Sequence, residues 1–399
     1  MAGSTLSLRL PSVDGRLATY TLRGATPFAA SKPAAPFDRI AYSAAHVVAD
    51  PLRTVDPWVT AVLDWDATIA CRQRLWSLGL GVAEAMDTAQ RGMGLDWPTS
   101  LELIRRSLDA AKDHPSALVA SGCGTDHLAP DAATSVDDVI RAYEMQMEAI
   151  ESLGGKLIVM ASRALARVAA GPADYERVYD RILMQSKEPV ILHWLGDMFD
   201  PQLAGYWGSA DVESAMTTAL GVIAANPGKV DGIKISLLDK DREIAMRRRL
   251  PPGVRMYTGD DFNYAELIAG DGVGATPNQG KSDALLGIFD AIAPAASAAL
   301  SALAAGNTDR FHEILAPTVP LSRHIFQAPT RFYKTGIVLL AWLNGHQSHF
   351  TMVGGQQSAR SIGHVADLFR LADAANLLEQ PELAVPRMKH LLALHGVDG

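Results

Sequence analysis

The segment VDGIKIS, residues 230–236, places a single lysine inside a short apolar run. A second apolar run, VRMYTG (254–259), follows after a stretch of helical composition, and Asp260 and Asp261 come directly after it. Short apolar runs separated by helical segments are typical of the strands of a parallel sheet. Because such strands are covered on both faces, we expect Lys234 to point into the protein interior.

The same alternation extends over most of the chain and predicts the fold class. Eight strand-helix units in about 240 residues correspond to a closed α/β barrel of the (β/α)8 TIM type, whereas open doubly wound sheets usually stop at five or six strands. The predicted strands are DRIAYSA (38–44), LGVAEAM (80–86), SALVASG (116–122), GKLIVMA (155–161), PVILHW (189–194), VDGIKIS, VRMYTG and DGVGAT (271–276).

Both ends of the chain depart from this pattern. TLSLRL and LATYTLRG alternate around Asp14-Gly15 as the two strands of a small hairpin would. After residue 295 the strand signals stop, and segments such as SIGHVADLFRLADAANLL (361–378) have helical periodicity. We therefore predict a hairpin and lead-in over residues 1–36, the barrel over 37–295 and a C-terminal helical subdomain over 296–399.

Composition excludes several classes of partner. Lys+Arg 36 against Asp+Glu 44 gives a net charge of −8, which offers no basic surface for nucleic acid or anionic lipid. The two cysteines, Cys71 and Cys123, are too few for a disulfide framework or a thiolate zinc cluster. With no signal-peptide pattern and no apolar stretch of about 18 residues, we expect a cytoplasmic protein with a small-molecule substrate.

Active-site residues of such barrels lie where the strands end. On this ground we predict Lys234, His193 and Arg163 as catalytic residues. Substrate-binding candidates also follow predicted strands, and Thr276 is included because it ends the predicted eighth strand: His46, Asp87, Thr88, Asp126, Asp260 and Thr276. The C-terminal segment 327–350 supplies Lys334, His346 and His349 as residues that could reach back over the barrel mouth.

Lys234 has an evident chemical use. A buried ammonium is costly to keep charged, so burial lowers the pKa of a lysine and makes the neutral amine available. A neutral amine adds to a ketone or aldehyde carbonyl and forms a Schiff base. The alternative is that Lys234 pairs with an interior carboxylate such as Asp260 and only stabilises the barrel.

Several motifs resemble the dihydrodipicolinate synthase and N-acetylneuraminate lyase superfamily. VDGIKISLLDK (230–240) resembles the family's strand with the Schiff-base lysine, and VRMYTGDDFNYAELIAGDGVGA (254–275) resembles the strands that close its barrel. ALVASGCGTDH (117–127), GKLIVMAS (155–162) and EPVILHW (188–194) resemble its third, fourth and fifth strands. The resemblance, to a divergent branch, implies a class I aldolase or lyase with its imine at Lys234, no cofactor, and a dimer or tetramer.

The chain also departs from the family pattern. Where the family has GTTGE, this chain reads AMDTAQR (85–91), which keeps only Thr88 of the threonines that bind a keto-acid carboxylate. Ser162 or Arg163 stands where the family has a catalytic tyrosine, and His193 replaces another family tyrosine. We therefore expect His193 to carry acid-base chemistry and Arg163 to hold an acidic group.

Two other functions stay open at this point. The mouth is rich in His and Asp, so a metal-dependent barrel enzyme of the sugar isomerase or class II aldolase type could use His193, Asp197 and Asp260 as ligands. A barrel that has lost its activity could instead bind a sugar or keto acid for regulation. Metal analysis and imine trapping would separate these functions from the first.

Overall fold

The computed structural model of the protein describes residues 6–24, 26–28, 31–86, 91–133 and 135–398. Its first two strands, β1 and β2, form an antiparallel hairpin, and the next eight form a closed parallel barrel in the order β10-β3-β4-β5-β6-β7-β8-β9. The strands are β1 (Ser7–Pro11), β2 (Leu17–Thr21), β3 (Ala41–Ser43), β4 (Gly81–Glu84), β5 (Val119–Cys123), β6 (Lys156–Val159), β7 (Val190–Leu195), β8 (Val230–Ser236), β9 (Arg255–Thr258) and β10 (Asp283–Leu286). The predicted (β/α)8 barrel is thus confirmed.

The α-helices lie between the barrel strands and then continue alone to the C-terminus. Several begin with a capping side chain: Asp96 caps α2, and Ser135 forms a reciprocal capping box with Asp138 at the start of α3. The helices are α1 (Trp65–Ser77), α2 (Trp97–Ala111), α3 (Val136–Ser152), α4 (Arg163–Val168), α5 (Pro172–Gln185), α6 (Val212–Ala225), α7 (Lys240–Arg247), α8 (Tyr264–Ala269), α9 (Ile288–Ala291), α10 (Ala293–Ala304), α11 (Thr308–Leu315), α12 (Thr318–Ile325), α13 (Lys334–Leu343), α14 (Ile362–Ala374) and α15 (Pro381–Leu394).

The barrel interior and the layer outside it are two separate apolar cores. Alternate residues of each strand point inward, and they form a small cluster that includes Tyr42, Ile158 and Tyr257. The residues between them point outward and join the large core under the helices, as Ile233 and Ile235 do on β8. This alternation directs Lys234, which lies between those two isoleucines, into the barrel.

The eighth barrel strand was predicted in the wrong place. Residues 271–276 form no strand, and the strand that closes the barrel is β10, which begins at Asp283. Gly270 and Gly272 have φ values of 77° and 67°, in the left-handed region that a strand does not use. Thr276 therefore lies before the last strand, at the end of the barrel opposite the mouth.

The hairpin and the C-terminal helices pack on each other. Tyr20 on β2 donates a hydrogen bond to Asp373 of α14 at 2.6 Å, and Arg370 of α14 donates to the carbonyl of Pro11 at 2.7 Å. Helix α13 is almost wholly buried within the chain, including Ile337 to Leu340. Among the described residues, no helix is both long enough and apolar enough to cross a membrane.

Candidate active site

The C-terminal ends of the eight strands form one rim, and its polar residues fall into two groups. The strands β8, β9, β10 and β3 are neighbours in the barrel, and buried charged residues lie on or just after them. The ends of β5, β6 and β7 instead border an open cleft. We call the buried group, together with one lysine from α13, the rim cluster: Lys234, Asp261, Asp290, His46 and Lys334.

Lys234 lies in the middle of β8 and is 7% exposed. In the register of the sheet it stands opposite His193 of β7 and Tyr257 of β9. Its Cε atom passes directly beside Gly259, since a Cβ atom added to that glycine would lie 2.7 Å from it. The absence of a side chain at residue 259 therefore leaves the space that the lysine occupies.

His193 and Ser236 accompany the lysine on the inner face. His193 is fully buried, and its Nε2 atom lies 3.3 Å from the hydroxyl oxygen of Ser236. Ser236 is two residues beyond Lys234 on β8, so both point into the barrel. The lysine thus has an imidazole and a hydroxyl group as neighbours on the same side of the sheet.

Of the two aspartates after β9, Asp261 is the one coupled to the lysine. Asp260 closes its own turn, because its carboxylate accepts hydrogen bonds from the backbone of Phe262 at 2.8 Å and from the side chain of Asn263 at 2.8 Å. Asp261 is 4% exposed and accepts a hydrogen bond from the backbone N–H of Ile288 at 2.9 Å. Burial raises the pKa of Asp261 to about 7, although that N–H and the ammonium of Lys234 act in the opposite direction.

Asp290 on α9 connects the ends of β10 and β3 with the C-terminal subdomain. Its Oδ2 atom accepts hydrogen bonds from the backbone N–H of His46 at 2.7 Å and from its Nδ1 at 2.9 Å, and lies 3.4 Å from Nζ of Lys334. Lys334 also donates to the carbonyl of Ala44. Burial opposes a charge on His46, but the attraction of Asp290 outweighs it and raises the pKa of His46 to about 10.

A second buried ion pair supports the rim cluster from outside the barrel. Arg72 of α1 donates to both oxygens of Glu84, at 2.9 and 2.8 Å, and Ser107 donates to the same carboxylate at 2.5 Å. Glu84 ends β4 but points away from the barrel interior, where Ala83 points inward. Its role is therefore to join β4 to the helices around it.

The cleft at the ends of β5, β6 and β7 has a volume of about 80 Å³. Arg163 on its wall donates from Nε to Asp200 at 2.5 Å, and its side chain is 35% exposed. Within the described residues its two Nη atoms make no hydrogen bond, and they lie against Gly92, where an added Cβ would be 3.1 Å from Nη1. One edge of the guanidinium group is thus open to an anionic ligand.

The cleft and the barrel interior share part of their walls. Met160 belongs to the inner cluster and also lines the cleft, and Leu195, two residues beyond His193 on β7, lines it too. Thr125 lies on the same wall, and its hydroxyl is 2.6 Å from that of Ser162. A molecule in the cleft therefore adjoins the strand that carries His193.

The structure brings together some of the predicted residues and separates others. Lys234, His193 and His46 lie on the rim, Arg163 and Asp126 border the cleft, and Asp126 forms an ion pair with Arg91. Thr276 lies at the opposite end of the barrel, since it precedes β10. Asp87 and Thr88 lie outside the described residues.

The predicted metal ligands do not converge. Asp197 is exposed in the turn after β7. The carboxylate of Asp260 already accepts hydrogen bonds from Phe262 and Asn263, the residues that follow it. In the part of the chain that the structure describes, no three His, Cys, Asp or Glu side chains are placed to hold a metal ion.

Two residues of the rim cluster, Asp261 and Asp290, were not among the predicted substrate-binding residues. Asp290 was not predicted because the eighth strand was assigned to residues 271–276 instead of Asp283–Leu286. Residue 290 therefore did not directly follow a predicted strand. The expectation that Lys334 reaches the mouth is confirmed by its bond to Ala44, whereas His346 lies 2.9 Å from Glu379 within the C-terminal subdomain.

Solved structures similar to this fold include dihydrodipicolinate synthases. The enzyme from Oceanobacillus iheyensis is 15% identical, with a TM-score of 0.60 over 85% of this chain and 97% of its own. The enzyme from Aquifex aeolicus is 12% identical, with a TM-score of 0.62 over 85% of this chain and 99% of its own. A putative dihydrodipicolinate synthetase from Pseudomonas aeruginosa is 15% identical, with a TM-score of 0.61, over 84% of this chain and 99% of its own. The likeness shows the fold, and it confirms the predicted resemblance at that level.

Residues 8–397 match the family described as "Protein of unknown function (DUF993)", which is nearly the whole chain. The protein therefore belongs to that family. No curated protein matches it.

Proposed function

We propose that the protein is a class I aldolase or lyase in which Lys234 forms an imine with a small keto-acid or sugar-derived substrate. The observation that carries the proposal is a buried lysine at the rim of a barrel with the dihydrodipicolinate synthase fold, held beside Gly259 and coupled to Asp261. Burial at such a position favours the neutral amine, which is the form that adds to a carbonyl group.

The chemistry needs only the chain and its substrate. The amine of Lys234 adds to the carbonyl carbon, and the carbonyl oxygen takes up protons and leaves as water, which gives a protonated imine. When the C–C bond next to the imine's α-carbon breaks, the hydroxyl group on the departing fragment loses its proton and the fragment leaves as an aldehyde or ketone, while the electron pair of the broken bond moves into the imine and leaves an enamine. A proton added to the enamine carbon and hydrolysis of the imine then release the product and restore the amine; condensation is the reverse.

His193 is suited to move the protons in these steps. It stands opposite Lys234 in the sheet, and its Nε2 lies 3.3 Å from the hydroxyl of Ser236 on the same inner face. An imidazole exchanges protons near neutral pH. His193 and Ser236 would thus take the place of the tyrosine that the resembled family uses.

Arg163 suggests that the substrate carries an acidic group. Its open guanidinium edge faces the cleft, and guanidinium binds carboxylates and phosphates through two parallel hydrogen bonds. The cleft borders the end of β7, the strand next to the β8 that carries Lys234, so the substrate would have its carbonyl at one end and its acidic group at the other. We also propose that the protein acts in the cytoplasm, that it is a homo-oligomer and that it uses no metal. Light scattering tests the oligomer, and metal analysis of the purified protein tests the last point.

Borohydride trapping tests the imine. The wild-type protein is incubated with a panel of keto acids, keto sugars and aldehydes, reduced, digested and mapped by mass spectrometry. We expect a reduced adduct on Lys234 with at least one compound, and none with Lys234→Met. Adducts on another lysine, such as Lys334, or none with any compound would contradict the proposal and leave a binding protein as the better explanation.

The role of Arg163 is tested with the same panel. Arg163→Met should reduce trapping of acidic compounds about tenfold or more at limiting concentration, which corresponds to the loss of one charge-assisted contact, and should leave neutral carbonyl compounds unaffected. Arg177→Met is the matched control, because Arg177 pairs with Asp137 on the surface. Equal losses for acidic and neutral compounds would argue for a purely structural role.

A further inference from the structure

The loop between β3 and α1 stands in solvent on the mouth side of the barrel, because it follows the C-terminal end of a strand. Its ten residues 51–60, PLRTVDPWVT, are all exposed, and we call this segment the flap. Four of its side chains are large and apolar: Leu52 is 90%, Val55 40%, Trp58 71% and Val59 79% exposed. Single exposed apolar residues are common, whereas four in one short segment indicate a surface that is covered in another state of the protein.

A narrow neck joins the flap to the barrel. Ala49 and Leu63 form an antiparallel bridge, and the N–H of Asp50 donates to the carbonyl of Val62 at 2.9 Å. The chain therefore leaves and returns at one place. A loop held in this way can change its position through rotations at the neck.

The hydrogen bonds of the flap are local. The side chain of Asp56 accepts from the N–H of Trp58 at 2.9 Å, and its carbonyl accepts from the N–H of Thr60 at 2.9 Å. At the neck, Asp50 accepts from the N–H of Leu52 at 3.0 Å. In the parts of the chain that the structure describes, residues 51–60 form no hydrogen bond or ion pair with a residue outside 50–60. The flap can thus move as a unit without breaking a polar contact to the rest of the protein.

Open space lies on two sides of the flap. Trp58 rests on the backbone of Gly355, where an added Cβ would be 3.1 Å from the indole ring. A gap of about 270 Å³ lies between the flap and residues 92–94, and one of about 180 Å³ lies between the flap and residues 351–353. These gaps leave room for the flap to move toward its neighbours.

Gly92 connects the larger gap with the cleft. It lines both, and a Cβ added to it would lie 3.1 Å from Nη1 of Arg163. The cleft, at about 80 Å³, has room for a small polar group such as one carboxylate. A flap that moved into the larger gap would therefore approach the open edge of the guanidinium group.

We infer that the flap is a lid that closes over the cleft when an acidic group binds to Arg163. Closure brings Trp58 and Val59, which already line the larger gap, from solvent into contact with residues 92–94. The bound anion favours the closed form, because its hydrogen bonds to the guanidinium group are stronger once water has left. Exclusion of water also protects an imine from early hydrolysis. The inference rests on the proposed function for the identity of the substrate, but closure can be measured with a compound that forms no imine.

Thiol labelling measures closure. Cys71 and Cys123 are free and buried, so Val59→Cys introduces an exposed thiol against a quiet background. Val13→Cys is the matched control, because Val13 lies in the turn between β1 and β2 and is 99% exposed. We expect saturating malonate, a dicarboxylate that forms no imine, to slow labelling of Val59→Cys about tenfold and to leave Val13→Cys unchanged.

Protection of Arg163 from phenylglyoxal shows in the same samples that malonate is bound, and the exposed Arg177 is the internal reference. Unchanged labelling of Val59→Cys while Arg163 is protected would overturn the inference. It would also be overturned if neither malonate nor any acidic compound of the carbonyl panel protected Arg163, because closure requires the anion.

Hydrogen exchange tests the motion without a ligand. Amides of residues 51–60 should exchange at least about tenfold faster than those of α1, and urea below the unfolding transition should not change their rate. Exchange that accelerates with urea as that of α1 does would show that the flap opens only with the whole barrel, and would contradict a lid.

Protein concentration separates a lid from an interface. If a second copy of the chain covered the flap, labelling of Val59→Cys would slow with increasing protein concentration, and Trp58→Ala would lower the mass found by light scattering. We expect neither change, and either would overturn the inference. A trapped imine at Lys234 without slower labelling would refute the lid alone, whereas slower labelling with malonate and no trapped imine would refute the proposed function alone.

Discussion

The side chain of Lys234 passes beside Gly259, the residue directly after β9, which has no side chain. A Cβ atom at residue 259 would lie 2.4 Å from the hydroxyl of Ser236, 2.5 Å from the carbonyl of Ile235 and 2.7 Å from Cε of Lys234. Real Cβ atoms do not approach other atoms so closely, and one of these contacts is backbone. A single added methyl group would therefore displace both the lysine and the strand.

Gly259→Ala tests this close contact. We expect the free energy of unfolding to fall by about 1–3 kcal/mol, as in other overpacked sites, and trapping at Lys234 to fall with it. Gly221→Ala on α6 is the control, because its Cβ would have no atom within 4 Å, so it should stabilise the protein by about 0.5–1 kcal/mol. Urea unfolding measures both changes. An unaltered stability of Gly259→Ala would show that β8 can move away from residue 259 without loss of folding free energy.

The burial of Lys234 could be predicted from the sequence, but the choice between its two neighbouring carboxyl groups could not. An isolated lysine between isoleucines indicates burial in any sheet, so Lys234 could be identified from sequence. Asp260 and Asp261 are adjacent, and which of them faces the lysine depends on the turn that Asp260 forms with Phe262 and Asn263. The sequence offered Asp260 as one possible partner of the lysine, whereas in the structure the ammonium of Lys234 acts on the pKa of Asp261.

At the scale of elements, the short helix α4 carries Arg163 to the cleft, and a buried hydroxyl group holds its first turn. Tyr206 accepts a hydrogen bond from the backbone N–H of Ser162 at 3.0 Å and lies 2.9 Å from the hydroxyl of Tyr179. Ser162 in turn caps the helix by accepting from the N–H of Leu165 at 3.0 Å. The position of Arg163 thus depends on a tyrosine more than 40 residues away.

Tyr206→Phe removes the hydroxyl group and leaves the N–H of Ser162 buried without its acceptor. We expect a loss of about 1–3 kcal/mol in the free energy of unfolding. Tyr175→Phe is a fair comparison, because its ring lies 4.9 Å from that of Tyr206 and its hydroxyl makes no hydrogen bond with the residues described; its loss should be about 0.5 kcal/mol or less. Equal stabilities of the two variants in urea would disprove the role of the Tyr206 hydroxyl.

The eighth strand shows why the elements were only partly predictable. The region 271–276 has valine, alanine and threonine, which suit a strand, but it also has glycines that adopt left-handed backbone conformations. Local composition could not separate this turn from the true strand β10, because closure of the barrel decides which segment pairs with β9 and β3.

At the scale of the whole molecule, Asp290 connects the barrel with the C-terminal helices, because it pairs with His46 after β3 and lies 3.4 Å from Nζ of Lys334 on α13. The folded-state pKa of His46 is raised to about 10, above the ordinary value near 6.5. Its contribution to stability is therefore complete below about pH 6.5 and is lost as the pH rises through 10. The pKa of Asp290 is lowered. The contribution of Asp290 to stability is therefore lost only in acid, once the pH falls below the ordinary pKa of an aspartate.

His46→Gln should lower the free energy of unfolding by about 3–5 kcal/mol at pH 6, because it leaves a buried carboxylate with a weaker partner. The difference from wild type should shrink between pH 6.5 and 10. His346→Gln breaks a pair with Glu379 that is 22% and 21% exposed, and it should cost about 1 kcal/mol or less. Denaturant unfolding at several pH values measures these terms, and a difference that does not change with pH would contradict a charged His46.

The sequence alone determined the barrel, the hairpin and the place of Lys234, because these depend on local periodicity and on where apolar residues recur. It also determined that the tyrosine and threonine residues of the resembled family are largely replaced. Only the tertiary structure decided that Asp261 and Asp290 lie buried at the rim, that Thr276 lies at the opposite end of the barrel, and that Lys334 rather than His346 reaches the rim. Those facts depend on contacts between distant segments, which the closure of the barrel and the packing of α13 against it create, and which no local pattern encodes.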